Sequence, residues 1–117
     1  MKYTFKIYGQ EVEKLIITEP KNRLIENVLG IGEEAGEVIG KIKKLIRDGS
    51  FSKKEVLYEL GDLLYYTTAT ANALGSNIQE VADMNMAKLK DRKKRNVIQG
   101  SGDNRWTTCC QQTTKTL

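Results

Sequence analysis

"IGEEAGEVIGKI", residues 31–42, places three carboxylates (Glu33, Glu34, Glu37) among Ile, Val, Ala and three glycines. A second segment, "LYELGDLLYY" at 57–66, repeats the arrangement: Glu34-Ala35-Gly36-Glu37 and Glu59-Leu60-Gly61-Asp62 are both acid-x-Gly-acid, 25 residues apart. An acid at i and another at i+3 share one helix face. The apolar residues around the first motif (Leu24, Val28, Ile31, Ala35, Val38, Ile42, Leu45) recur at alternating steps of three and four, the period of an amphipathic helix. At about 100° per residue, Glu34 and Glu37 fall about 90° and 150° from that stripe, and Glu59 and Asp62 about 80° and 140° from theirs. Two antiparallel helices packed along their stripes would therefore converge four carboxylates on one cleft.

Other helices follow from their punctuation. A short one is expected over residues 9–17 on Val12, Leu15 and Ile16. The helix of the first motif is expected to begin after Thr18-Glu19-Pro20, with Thr18 as cap and proline in its first turn, and to stop at Asp48-Gly49-Ser50. Ser52-Lys53-Lys54-Glu55 is a capping box that starts the third helix, which runs to Gly75. Ser76-Asn77-Ile78-Gln79 is a second box that starts the fourth. Short connections make neighbours antiparallel, so the expected fold is all-α, an antiparallel four-helix bundle. One domain is expected over residues 1–105. The stretch 106–117 ("TTCCQQTTKTL" and the preceding Trp106) has no periodicity and is expected to be a disordered tail.

Composition sets the bounds. The 117 residues are 39% hydrophobic and 29% charged, as in a globular domain, with a net charge of +4. Lys88, Lys90, Arg92, Lys93, Lys94 and Arg95 crowd one segment while acids concentrate between 33 and 62, which points to polyanionic partners such as triphosphates or nucleic acid. No apolar run reaches membrane-spanning length and the N-terminus lacks a signal-peptide core. Cys109 and Cys110 are adjacent and ill-suited to a structural disulfide, so the expected location is the cytoplasm, with no membrane partner. The chain has no His. That excludes imidazole bases and imidazole metal ligands, and with them the Glu-x-x-His di-iron bundle. A cluster of carboxylates without His or Cys suits a hard cation, Mg²⁺ or Mn²⁺. The opposing reading is two solvated acidic faces.

Three features weigh against ordinary surface. Gly32, Gly36 and Gly40 recur every fourth residue, each at a cost of about 1 kcal/mol relative to Ala, which implies a close approach by another helix. Like charges at i, i+3 repel, and only Lys41 stands at i+4 to relieve them. The motif also occurs twice.

Taken together, Glu34-x-x-Glu37 followed by Glu59-x-x-Asp62 on consecutive helices resembles the signature of the MazG-like all-α nucleoside triphosphate pyrophosphohydrolases. The likeness extends over about residues 24–105, through "VADMNMAKLKDRKKR" and "GSGDNR"; the first 20 residues and the last dozen lie outside it, and Asn96 stands where glycine is commoner. The resemblance implies Mg²⁺ (or Mn²⁺) held by Glu34, Glu37, Glu59 and Asp62, and hydrolysis between the α and β phosphates to a nucleoside monophosphate and pyrophosphate. It makes Glu33 and Glu34 the positions that orient or deprotonate the water. It assigns the triphosphate to Asn85, Lys88 and Arg92 on the fourth helix, with Arg95 and Lys93 beside them, Lys88 and Arg92 also serving catalysis. Arginine would supply forked contacts and lysine a point charge. Tyr65 and Tyr66 read as interface residues or, alternatively, as a base-stacking surface, and the glycine-rich loop 100–105 as a phosphate cradle.

Two further expectations follow. The second apolar row on the long helix (Ile25, Leu29, Ile39, Ile46) and the Gly32, Gly36, Gly40 ridge exceed what one thin bundle can cover, so a homodimer or homotetramer is expected, in line with the paired chains of small family members. The competing functional reading is a basic helical module that binds nucleic acid or a protein without catalysis. Nucleic acid is not the expected partner if the four acids bind metal.

Overall fold

The computed structural model describes residues 2–100. Within them lie four α-helices, one 3₁₀ turn and no strand: α1 (Phe5–Leu15), the turn Pro20–Asn22, α2 (Arg23–Asp48), α3 (Lys53–Ala73) and α4 (Ile78–Lys94). The all-α fold is as expected. The chain divides into two compact units, one ending at Gln79 and the other beginning at Glu80.

The first unit is built on α2 and α3. The αL residue Gly49 (φ 77°) ends α2, and three residues later the Ser52 hydroxyl accepts the Glu55 N–H at 3.3 Å, so the capping box starts α3 as expected. The short turn forces the helices antiparallel. Lys41 lies opposite Glu55 and Glu59, and nearer the other end Gly30 lies opposite Tyr66.

α1 begins earlier than its apolar residues suggest, at Phe5 rather than near residue 9. The Thr4 side chain caps it, accepting from the Ile7 N–H at 3.2 Å, and Ile16 is already extended. Thr18 does not cap α2. Pro20 opens a 3₁₀ turn instead, and α2 proper starts at Arg23 after Asn22, whose side chain makes no cap bond. Proline's fixed φ and missing N–H suit that tight first turn.

The core of this unit sits between α1 and the second half of α3, where Val12, Thr68, Ala69, Ala71 and Ile78 are buried. Small residues on α3 let α1 approach. A Cβ on buried Gly9 would meet Ile78 and Thr68 only at ordinary contact distance. Polar pins hold the three helices together. Asn72 donates to the Gly9 carbonyl and to Glu13, both at 3.2 Å, and the other Glu13 oxygen takes Arg23 at 2.6 Å. Thr67, Thr68 and Thr70 satisfy their hydroxyls on carbonyls one turn back, which lets them occupy buried or half-buried positions.

Among the described residues of this chain no helix closes on the glycine ladder. A Cβ on Gly32, Gly36 or Gly40 would meet nothing within 4 Å in this chain, whereas one on Gly30 would collide with the Tyr66 ring. The close approach inside the chain lies at Gly30, outside the i+4 ladder read from the sequence.

In the second unit, α4 ends in a left-handed residue. Asn96 has φ 57°, and the Val97 N–H reaches back to the Arg92 carbonyl at 2.8 Å. Asparagine is the side chain best able to replace glycine in that conformation. Residues 101–105 of the glycine-rich loop and the expected tail at 106–117 lie outside the described residues.

Candidate metal centre

α2 and α3 present the acids on facing flanks, and three of the four meet, Glu34 and Glu59 half-buried and Asp62 exposed. Glu34, Glu59 and Asp62 each offer a carboxylate oxygen, and these oxygens lie within 4.8 Å of one another. Glu59 and Asp62 are one turn apart on α3, and antiparallel packing lays Glu34 of α2 against them. Glu37, one turn beyond Glu34, is exposed and stands outside that set. Glu33 is exposed beside it.

Crowding leaves an electrostatic mark. The Glu34 carboxyl is pushed above the usual glutamate range, first by partial burial and then by Asp62, Glu59, Glu33 and Glu37. The tyrosines nearby respond alike. Burial raises Tyr66, followed by Glu34, Glu33, Tyr65 and Asp62; burial raises Tyr8 on α1, followed by Asp62 and Tyr65. A concentrated negative charge of this kind is stabilised by a cation. The donor set fits a hard divalent ion: three carboxylates spanning 4.8 Å need only modest side-chain rotation to surround an ion at about 2.1–2.5 Å.

Sequence reading named Lys41 and the Tyr65–Tyr66 pair but not the partners through which they frame the acids. Lys41 Nζ lies 3.5 Å from Glu59 Oε1 and 3.9 Å from Glu55 Oε2. From the sequence it was visible only as a neighbour of Glu37 on its own helix. Tyr66 packs on Gly30, and its ring meets Tyr65 edge-on, centroids 5.2 Å apart at 84°. A signal for that contact was present: Gly30 precedes Glu34 by one turn and Tyr66 follows Asp62 by one turn.

In the second unit, the carried-over residues differ in setting. Asn85 and Lys93 are exposed, Lys88 is half-buried and Arg92 is buried. Arg95 is held by Asp91, through Nε at 2.9 Å and Nη2 at 2.6 Å to one carboxylate oxygen. A groove of about 750 Å³ in the first unit is lined by α1 residues (Lys6, Gln10, Glu13) together with Asn72 and Asn77, and by none of the clustered acids.

The MazG nucleotide pyrophosphohydrolase domain profile matches residues 23–97, from the first residue of α2 to just beyond α4. This chain belongs to that family. It is 42% identical over 82 residues to the Gene 37 protein of Mycobacterium phage L5, covering 66% of this chain and 72% of the phage protein. No solved structure gives a significant match. Among the described residues no helix is long and apolar enough to cross a membrane.

Proposed function

We propose that this protein is a divalent-metal-dependent nucleoside triphosphate pyrophosphohydrolase, cleaving between the α and β phosphates to release a nucleoside monophosphate and pyrophosphate. The observation that carries the reading is the convergence of Glu34, Glu59 and Asp62 from consecutive helices, within 4.8 Å, in a chain of the MazG family.

Glu34, Glu59 and Asp62 would hold Mg²⁺ or Mn²⁺, with Glu37 joining by rotating in from its exposed position. When bound, the ion supplies charge neutralisation on the phosphates and lowers the cost of expelling pyrophosphate. Glu33, exposed beside the cluster, is placed in the role of orienting the attacking water, and Glu34, whose carboxyl is raised, in that of sharing its proton. Asn85, Lys88 and Arg92 are assigned the triphosphate, with Arg95 available once it leaves Asp91. Charge development on the leaving group requires such cations.

Assembly belongs to the same reading. Ile25, Leu29, Ile39 and Ile46 form a row along α2 that is 68%, 68%, 69% and 92% exposed in the single chain. An apolar row of that length favours burial against another copy, as a homodimer or homotetramer. A cytoplasmic location is in keeping with a nucleotide substrate.

The test is a panel of ribo- and deoxyribonucleoside triphosphates with Mg²⁺ or Mn²⁺, read by pyrophosphate release. Monophosphate and pyrophosphate in equal amounts, abolished by EDTA, is the expected result. Release of inorganic phosphate alone, or no turnover of any triphosphate, would overturn the proposal.

A further inference from the structure

We infer that Lys41 is a built-in counter-cation of the carboxylate cluster. It competes with the divalent ion for Glu59 and so sets how weakly the metal-free site binds that ion. The inference rests on the metal reading above and adds to it a residue that tunes affinity without ligating.

The geometry is specific. Lys41 leaves α2 one turn beyond Glu37 and crosses to α3, where its ammonium lies 3.5 Å from Glu59 and 3.9 Å from Glu55. The Lys41 side chain is 26% exposed and that of Glu59 17%, so water screens this pair less than a surface pair. Glu59 is at the same time one of the three acids whose oxygens gather within 4.8 Å. One carboxylate thus faces the ammonium and the acid cluster together.

Such a cluster is costly without positive charge, because its members repel at short range. Lysine meets that need with a compact charge on a flexible stem. An incoming divalent ion must draw Glu59 away from the ammonium or accept a like charge as neighbour, and both weaken binding. Glu55 gives the displaced ammonium a second partner one turn away on α3. Without the ion Lys41 is shared between the two, nearer Glu59, and an ion that drew Glu59 away would leave it on Glu55.

A titration with Mn²⁺ alone, followed by electron paramagnetic resonance, tests this in wild type, Lys41→Met, Lys41→Arg and Glu55→Gln, with helix content checked by circular dichroism. Removing one positive charge several ångströms from a divalent ion should tighten Mn²⁺ binding about tenfold at low ionic strength. The gain should shrink as added salt shortens the screening length. Lys41→Arg should stay close to wild type. Glu55→Gln should bind more weakly, because the ammonium then has only Glu59. Unchanged or weaker binding by a folded Lys41→Met overturns the inference while leaving the metal site intact. If that variant loses its helices, Lys41→Gln gives the same readout; loss of fold in both makes Lys41 a structural residue and also overturns it. Wild type that binds no Mn²⁺ is a different failure, that of the metal reading, and it removes the inference too.

Discussion

The Tyr66 ring lies directly on the backbone of Gly30. A Cβ built on that glycine would fall 2.6 Å from the ring's Cγ and nearer still to its edge. The contact sits one helical turn from Glu34 on α2 and one turn from Asp62 on α3, at the end of the acid cluster. Gly30→Ala must therefore move either the ring or the helix. Overpacking of this kind costs about 1–3 kcal/mol, and pyrophosphate release should fall because the acids lose register. A variant with wild-type melting temperature and full activity would show that the site tolerates a wider seam.

The acids should not be equivalent. Glu34→Gln, Glu59→Gln and Asp62→Asn remove members of the converged set, and each should reduce kcat by about 10²-fold or more, as expected for lost electrostatic stabilisation. Glu37→Gln should be milder, because Glu37 stands outside the three gathered carboxylates and would reach the ion only by rotating in, the weakest of the four contacts. Equal losses in all four would make Glu37 a full ligand alongside the other three. If activity is absent in wild type but nucleic acid is bound, with unchanged affinity in Asp62→Asn, the acids are surface and the basic-module reading stands.

Stability should depend on pH in a direction opposite to that of an ordinary salt-bridged acid. The Glu34 carboxyl is raised, by burial first and neighbouring acids second, so the folded chain keeps a proton that the unfolded chain loses near 4.5. The unfolded state then binds fewer protons than the native one, and stability declines as pH rises through the interval above that value. Melting in EDTA should show a midpoint that falls as pH rises above about 4.5, flattened in Glu34→Gln and reversed by Mn²⁺. A midpoint that climbs across the same range in EDTA would contradict the assignment.

Asn72 ties α3 to α1 through Gly9 and Glu13, and Glu13 in turn takes Arg23 at the start of α2. Replacing Asn72 with Ala leaves the Gly9 carbonyl without that donor and should cost about 1–2 kcal/mol in urea unfolding. A change within the error of the midpoint would assign the α1 docking to Val12 and its apolar neighbours alone.

Light scattering measures assembly directly. A 13.2 kDa chain that runs as a dimer or tetramer should fall to monomer on substitution of Leu29→Asp with Ile39→Asp. Both side chains are well exposed in the single chain, so neither change should disturb its own fold. Wild type that is monomeric at micromolar concentration and fully active would exclude the shared-row explanation.

Several features were legible in the sequence alone, because local rules govern them. The 3.6-residue period of Leu24 to Leu45 produced α2. The Ser52 box began α3, and Gly49 ended its predecessor in the left-handed conformation that only glycine adopts freely. The acid-x-x-acid spacing put Glu34, Glu59 and Asp62 on facing flanks, and antiparallel packing brought them together. What the sequence could not determine depends on inter-helix register and on side chains reaching across a seam. Three glycines at i+4 spacing suggested a contact ridge, yet within this chain the close approach is made at Gly30, where the Tyr66 ring stands opposite. Lys41 read as a partner for Glu37 on its own helix and turned out to face Glu59 and Glu55 on the next. Thr18 satisfied the cap preference, but the proline two residues on opened a 3₁₀ turn. Propensity and periodicity act over one or two turns of chain, whereas these partners are chosen by how two helices slide against each other, and only the packed tertiary structure settles that offset.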